Sequence, residues 1–144
     1  MGMNVAVVYE SRTGTTQQAA RLVAGGLKSA GADVSLAPID DLDFAELAQA
    51  DLIVVGTWTD GLFFFGQRPG GAGKIAGNLP DIWDKRTWSF VTYAKNPGRS
   101  HEKLGEILEA KGARSIGAAA MHRHRLQEDA TSLVDDIIDH FAAA

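Results

Sequence analysis

The segment that most constrains this chain is its first. An apolar strand, Asn4-Val5-Ala6-Val7-Val8-Tyr9, runs straight into a hydroxyl-rich turn, Ser11-Arg12-Thr13-Gly14-Thr15-Thr16. A helical pattern follows at once, with Ala19, Leu22, Val23, Gly26 and Leu27 at spacings of three and four. Strand, tight turn and helix N-terminus together make an anion site. The first N–H groups of a helix have no intrahelical acceptor, and the helix dipole favours negative charge there. The hydroxyls of Ser11, Thr13, Thr15 and Thr16 and the permissive backbone of Gly14 suit a turn that wraps a small tetrahedral anion. The turn lacks the Gly-Lys-Ser/Thr of a triphosphate loop and the three glycines of a dinucleotide fingerprint. Hydroxyls in place of lysine suit one terminal phosphate held by hydrogen bonds.

Strand and helix patterns then alternate to the end of the chain. Gly31 closes the first helix, and Val34, Leu36 and Ile39 mark an edge-type second strand. Asp43 caps a short helix carrying Phe44, Leu47 and Ala48. Leu52, Ile53, Val54, Val55 and Gly56 form a continuous apolar run, the mark of a parallel strand covered on both faces. Residues 58–70 are expected to form a long loop, followed by a short helix from Lys74 to Trp83 that Pro80 interrupts or ends. Residues 88–93 read as the fourth strand. Ser100 is expected to cap a helix carrying Leu104, Ile107 and Leu108 and stopped at Gly112. Residues 115–121 make a fifth strand and 129–141 a closing helix. Five strands alternating with helices imply a doubly wound α/β domain over residues 1–144, with a parallel sheet and right-handed crossovers. Ligands of such sheets bind beyond the carboxyl ends of the strands, where the winding direction reverses. Those ends are residues 10–16, 57–68, 94–100 and 122–126, and the unusual residue clusters of the chain fall there.

Bulk properties narrow the function. The chain has 144 residues, enough for one domain with a real core. It has no cysteine, so neither disulfide nor thiolate chemistry is available. No apolar run approaches the ~20 residues that span a bilayer, and the N-terminus enters a structural strand directly, so the expected compartment is the cytoplasm, without membrane association. A net charge of −4 gives no reason to expect nucleic acid.

The first turn resembles that of flavodoxins and the wider flavodoxin-like family, whose loop reads Ser/Thr-x-Thr-Gly-x-Thr and holds the phosphate of FMN. Ser11, Thr13, Gly14 and Thr15 or Thr16 match it, with Arg12 inside the loop. The resemblance implies a sheet of order 2-1-3-4-5, which is flavodoxin's own order. It implies FMN as cofactor, electron transfer as function, and donor and acceptor redox proteins as partners. Trp58, in the segment Thr57-Trp58-Thr59-Asp60-Gly61, matches the aromatic that stacks on the flavin ring. In the next loop Tyr93 is a candidate second aromatic, and His101 is a candidate for the ring edge. The backbone N–H groups of Ala94, Lys95 and Asn96 are candidate donors to its pyrimidine end. That loop departs from the family in having no acid before Glu102, and the net charge is milder than is usual among flavodoxins.

Three features stay open at this level. Phe63, Phe64 and Phe65 wall the flavin, cover the glycine-rich segment that follows, or form a partner patch. His122-Arg123-His124-Arg125 is a solvated strand end or a basic rim for an anionic substrate or acidic partner; a metal site would need a third ligand that the sequence does not supply. Two other functions compete with the electron carrier. One is an NAD(P)H-dependent quinone or flavin reductase of the same fold, and the other a non-redox binding or regulatory module that has kept the anion loop. No motif for a general acid, base or nucleophile stands in the chain, and a deazaflavin in place of FMN is not distinguished.

Overall fold

A computed structural model describes residues 2–62 and 66–143. The three consecutive phenylalanines therefore lie outside the described residues. In chain order the elements are β1 (Asn4–Tyr9), α1 (Thr15–Ser29), β2 (Asp33–Pro38), α2 (Phe44–Gln49), β3 (Leu52–Leu62), β4 (Gly66–Pro69), α3 (Ala72–Asn78), β5 (Arg86–Tyr93), α4 (Ser100–Glu109), β6 (Arg114–His122) and α5 (Leu126–Ala142). Five strands form a parallel sheet in the order β2-β1-β3-β5-β6. This is the doubly wound, flavodoxin-like order. The winding direction reverses between β1 and β3, because β1 leads to β2 on one side while β3 sits on the other.

Alternation along each strand divides the core in two. Val5, Val7, Leu52, Val54 and Phe90 face α1 and α5, where they meet Ala19, Val23, Leu27, Leu133 and Ile137. Ala6, Val8, Ile53, Val55 and Val91 face the other layer, where they meet Ile75, Leu79, Leu104 and Leu108. Both layers are needed because a parallel sheet is connected by helices that cover both faces.

Two aromatic rings lie across glycines of the neighbouring strand. Phe90 pairs with Gly56, and a Cβ on that glycine would stand 2.0 Å from the Phe90 ring. Trp88 pairs with Gly117, where a Cβ would stand 2.3 Å from the indole. One extra residue on β6 shifts the register between Thr87 and Trp88 and sets the second pair.

Three local expectations are corrected. The stretch 58–70 is not a loop: β3 continues to Leu62 and turns back through β4 as an antiparallel hairpin, with Thr59 opposite Pro69 and Asp60 opposite Arg68. The helix expected to reach Trp83 ends at Asn78, and Trp83 stands in the turn before β5, 83% exposed. Ser100 does not cap α4. It is the first helical residue, fully buried, and Arg99 holds the cap position; the turn before it is made by Asn96 Oδ1 accepting from the Gly98 N–H at 2.9 Å. Asp43 does cap α2, accepting from the N–H groups of Ala45 and Glu46.

Gly56→Ala should destabilise the protein by about 1–3 kcal/mol, since the new methyl overlaps a ring that is itself packed on all sides. Urea unfolding checks this. The double variant Gly56→Ala/Phe90→Leu should lose less than the sum of the two single losses, because the smaller side chain vacates the overlap.

Candidate functional site

The chain leaves β1 through a turn that its own side chains hold. Ser11 Oγ accepts from the Gly14 N–H at 3.1 Å and from the Gln17 N–H at 3.2 Å. Gly14 sits at φ 98°, in the left-handed region, so the chain can reverse into α1 without a Cβ clash. Gln17 supplies the third N–H of the helix, so Ser11 satisfies one orphan donor from outside the helix. Among the described residues, the N–H groups of Arg12, Thr13, Thr15 and Thr16 have no acceptor. Four free donors around a helix start, with no acidic residue in the first turn of α1, fit a phosphate.

A cleft of about 220 Å³ opens beside this turn, lined by Arg12, Thr13, Thr15 and Thr16, by Trp58, Thr59 and Asp60, and by Thr92, Tyr93, Ala94 and Arg123. It sits at the carboxyl ends of β1, β3, β5 and β6, at the reversal of winding. A larger hollow of about 600 Å³ lies between α1 and α5, away from the strand ends. Donor chemistry, rather than size, selects the cleft.

One wall of the cleft is Trp58. Its indole rests on the backbone of the glycine-rich turn after β4: a Cβ on Gly70 would stand 2.0 Å from the ring and one on Gly71 3.1 Å from it. The Gly70 N–H donates to the Trp58 carbonyl at 2.7 Å, and Thr57 Oγ1 donates to the Gly70 carbonyl at 2.7 Å. The indole Nε1 donates to Asp60 Oδ1 at 2.9 Å, and Arg12 lies 3.8 Å from the same oxygen. The ring is thus clamped by two glycines and a carboxylate while it lines the cleft. Thr59 Oγ1, on the same wall, is buried without a partner. Free backbone donors, an orphaned hydroxyl and a fixed aromatic surface are what a planar phosphorylated cofactor such as FMN requires.

The opposite wall is tied to the turn through Thr16 and Thr92, whose buried hydroxyls lie 3.0 Å apart. Beyond it the Tyr93 ring meets His122 edge-on, with centroids 5.1 Å apart. Below the turn, Glu10 is nearly buried. Its Oε1 accepts from the Ser11 N–H at 3.1 Å, and its Oε2 lies 3.1 Å from Lys74 of α3, which also reaches Asp40 at 3.4 Å. The Lys74 ammonium is held above its ordinary pKa, first by its hydrogen bond to Glu10 and then by that carboxylate's charge. The contact joins the end of β1 to α3 and to the turn after β2.

Of the residues expected from sequence, Arg12, Thr13, Thr15, Thr16, Trp58, Thr59, Asp60, Tyr93 and Ala94 meet around this one cleft. Ser11, Gly14 and Thr57 stand behind it as supports, as their hydrogen bonds and backbone angle show. Gly61 pairs with Gln67 in the hairpin. Lys95 and Asn96 are exposed beyond the end of β5, outside the cleft lining, and the Asn96 side chain serves its own turn. His101 is also outside the lining; it lies in the first turn of α4, where its carbonyl accepts from Ser89 Oγ at 2.9 Å. Thr92 and Arg123 also line the cleft; Arg123 was expected only as part of a solvated strand end or basic rim, and Thr92 was not expected. Thr92 had a signal: alternation from Trp88 through Phe90 puts it on the α1 face.

The fold and the cleft define an open α/β protein with a donor-rich cleft at its winding reversal. The family model for flavodoxin matches residues 7–63, the part that contains the second half of β1, the anion turn and Trp58. A flavodoxin from Pseudomonas aeruginosa superposes with a TM-score of 0.67 at 21% identity, over 98% of this chain and 97% of that one. Two-electron reduced Megasphaera elsdenii flavodoxin gives 0.63 at 23% identity, over 91% and 98%. The rubredoxin oxygen:oxidoreductase of Desulfovibrio gigas gives 0.63 at 20% identity, over 98% of this chain but 38% of that larger one. No curated protein matches the chain by sequence. The chain is flavodoxin-like in fold and carries the family's sequence pattern in its first part.

Ser11→Ala should remove two acceptor contacts of the turn and cost roughly 0.5–2 kcal/mol, the usual range for a lost helix cap. Amide exchange gives the sharper test. The Gly14 and Gln17 N–H groups should lose protection, while Gln18, which donates to the Gly14 carbonyl at 3.0 Å, should keep it.

Proposed function

We propose that the protein binds FMN in the cleft beside Trp58 and carries electrons between redox proteins. The observation that carries this reading is the turn 11–16: four N–H groups without acceptors stand at the start of α1, next to a clamped aromatic wall. FMN supplies the redox chemistry when bound, and the residues of this chain anchor and shield it. Arg12, Thr13, Thr15 and Thr16 would hold its phosphate through backbone and hydroxyl donors. Trp58 would offer a ring surface that needs no reorganisation on binding, because Gly70, Gly71 and Asp60 already fix it. The cleft's one carboxylate among the described residues, Asp60, accepts from the Trp58 Nε1 and lies 3.8 Å from Arg12. No group of metal ligands forms among those residues, and no helix among them is long and apolar enough to cross a membrane.

The absorption spectrum and released cofactor of the purified protein test this directly. A flavin spectrum is expected, with FMN released rather than FAD, since the turn closes on a terminal phosphate. Mostly FAD would overturn the monophosphate reading. Colourless protein that fails to bind added FMN would assign the fold to a non-redox module, and rapid bleaching by NADH or NADPH without a partner would make it a reductase.

Thr13→Ala should weaken FMN by about ten- to a hundredfold, because a hydrogen bond to a charged group contributes about 1.5–3 kcal/mol. Trp58→Ala should weaken FMN but leave inorganic phosphate binding unchanged. Titration of the cofactor-free protein with each ligand separates the anchor from the platform.

A further inference from the structure

The charge of this protein is not spread evenly. The chain carries fourteen Lys and Arg against eighteen Asp and Glu. Around the cleft mouth the balance is reversed. Arg12, Arg68, Lys95, Arg99, Arg123 and Arg125 stand on the segments that end β1, β4, β5 and β6, against Asp60, Glu102, the buried Glu10 and, in the first turn of α5, Glu128 and Asp129. Three of these acids are matched by cations: Asp60 faces Arg12, Glu102 pairs with Arg99 at 2.7 Å, and Glu10 pairs with Lys74; Asp129 instead accepts from the His122 N–H at 2.7 Å. Arg68, Lys95, Arg123 and Arg125 are exposed and pair with no acid among the described residues.

Sheet pairing gathers these cations on one edge. Arg68 lies opposite Asp60 in the hairpin. Tyr93 lies opposite His122, and the Arg123 N–H donates to the Tyr93 carbonyl, so Lys95 and the pair Arg123 and Arg125 emerge side by side. The other end of the same edge, after β2, carries Asp40, Asp41 and Asp43. The mouth is thus bordered by a positive half over β3, β5 and β6 and a negative corner beside β2.

We propose that the positive half is a docking surface for an acidic face of a partner redox protein, presented where the cleft opens. This rests on the proposed FMN reading, because the docking surface then surrounds the route of the electron. The spread of the cations favours a broad acidic face over a small anion. Only Arg123 of the four lines the cleft, while Arg68, Lys95 and Arg125 stand outside it. A nucleotide phosphate would draw cations to one point; a protein face meets them spread out. Complementary charge of this kind accelerates encounter and selects partners, and opposite charge at one corner fixes the partner's rotation.

The test measures binding by calorimetry, with oxidised plant-type ferredoxin as the acidic probe and cytochrome c as the basic one. It is run on both the FMN-loaded and the cofactor-free protein, so a failure of FMN binding, read by absorbance, is distinguishable from a failure of docking. Ferredoxin should bind at low ionic strength and weaken by about tenfold or more between about 20 and about 200 mM NaCl. Arg68→Glu/Lys95→Glu/Arg125→Glu should weaken it by about tenfold or more, and Lys95→Glu alone by less. Arg21→Glu/Lys28→Glu, on α1, should leave it unchanged. The proposal is overturned if ferredoxin fails to bind at low salt, if cytochrome c binds as tightly, or if the triple variant, folded by circular dichroism, binds ferredoxin like the parent. It is also overturned if the triple variant instead loses affinity for NADPH, which would assign the cations to a dinucleotide.

Discussion

The reversal of the chain between β1 and α1 is the constraint on which the working end depends. A central strand must stop, turn and start a helix in a few residues without burying unpaired donors. Gly14 provides the left-handed angle and Ser11 provides the acceptor, and the N–H groups of Arg12, Thr13, Thr15 and Thr16 are left without one. Glu10 beneath and the Thr16–Thr92 contact beside it lock the turn to α3 and to β5. The turn is therefore preorganised: binding an anion there does not require the backbone to be ordered first.

Close approach of aromatic rings to glycine recurs through the molecule. Phe90 covers Gly56, Trp88 covers Gly117, and Trp58 covers Gly70. The first two fill the α1–α5 layer of the core, where a ring over a missing Cβ packs without a void. The third repeats the device at the edge of the sheet, where it fixes a ring that remains partly accessible. The same physics that stabilises the core thus builds a wall of the site.

Electrostatics separates the working edge from the rest. A net acidic chain can present a basic mouth because much of its acid lies on helices, most of it along α4 and α5. Long-range repulsion between like molecules and attraction for a chosen partner then reside on different surfaces.

The open sheet, its helix layers and the anion turn were legible in the residues, because each depends on local order. Periodicity of two or 3.6 distinguishes strand from helix, and Gly14 with its hydroxyl neighbours states the turn chemistry. The hairpin was not legible. Its pairing sets Asp60 against Arg68 and Trp58 against Gly70, contacts that form only when β3 outruns its parallel neighbours and needs a new partner. Ser100 reads as a cap by residue type, yet the turn at Asn96 and Gly98 moved the helix start so that its hydroxyl is buried instead. His101 and Lys95 are close in sequence to Tyr93 but stand outside the cleft lining. Sequence determined which residue types suit an anion and a ring. Only tertiary structure decided which of them share the cleft, since that depends on register, on the bulge in β6 and on where each strand stops.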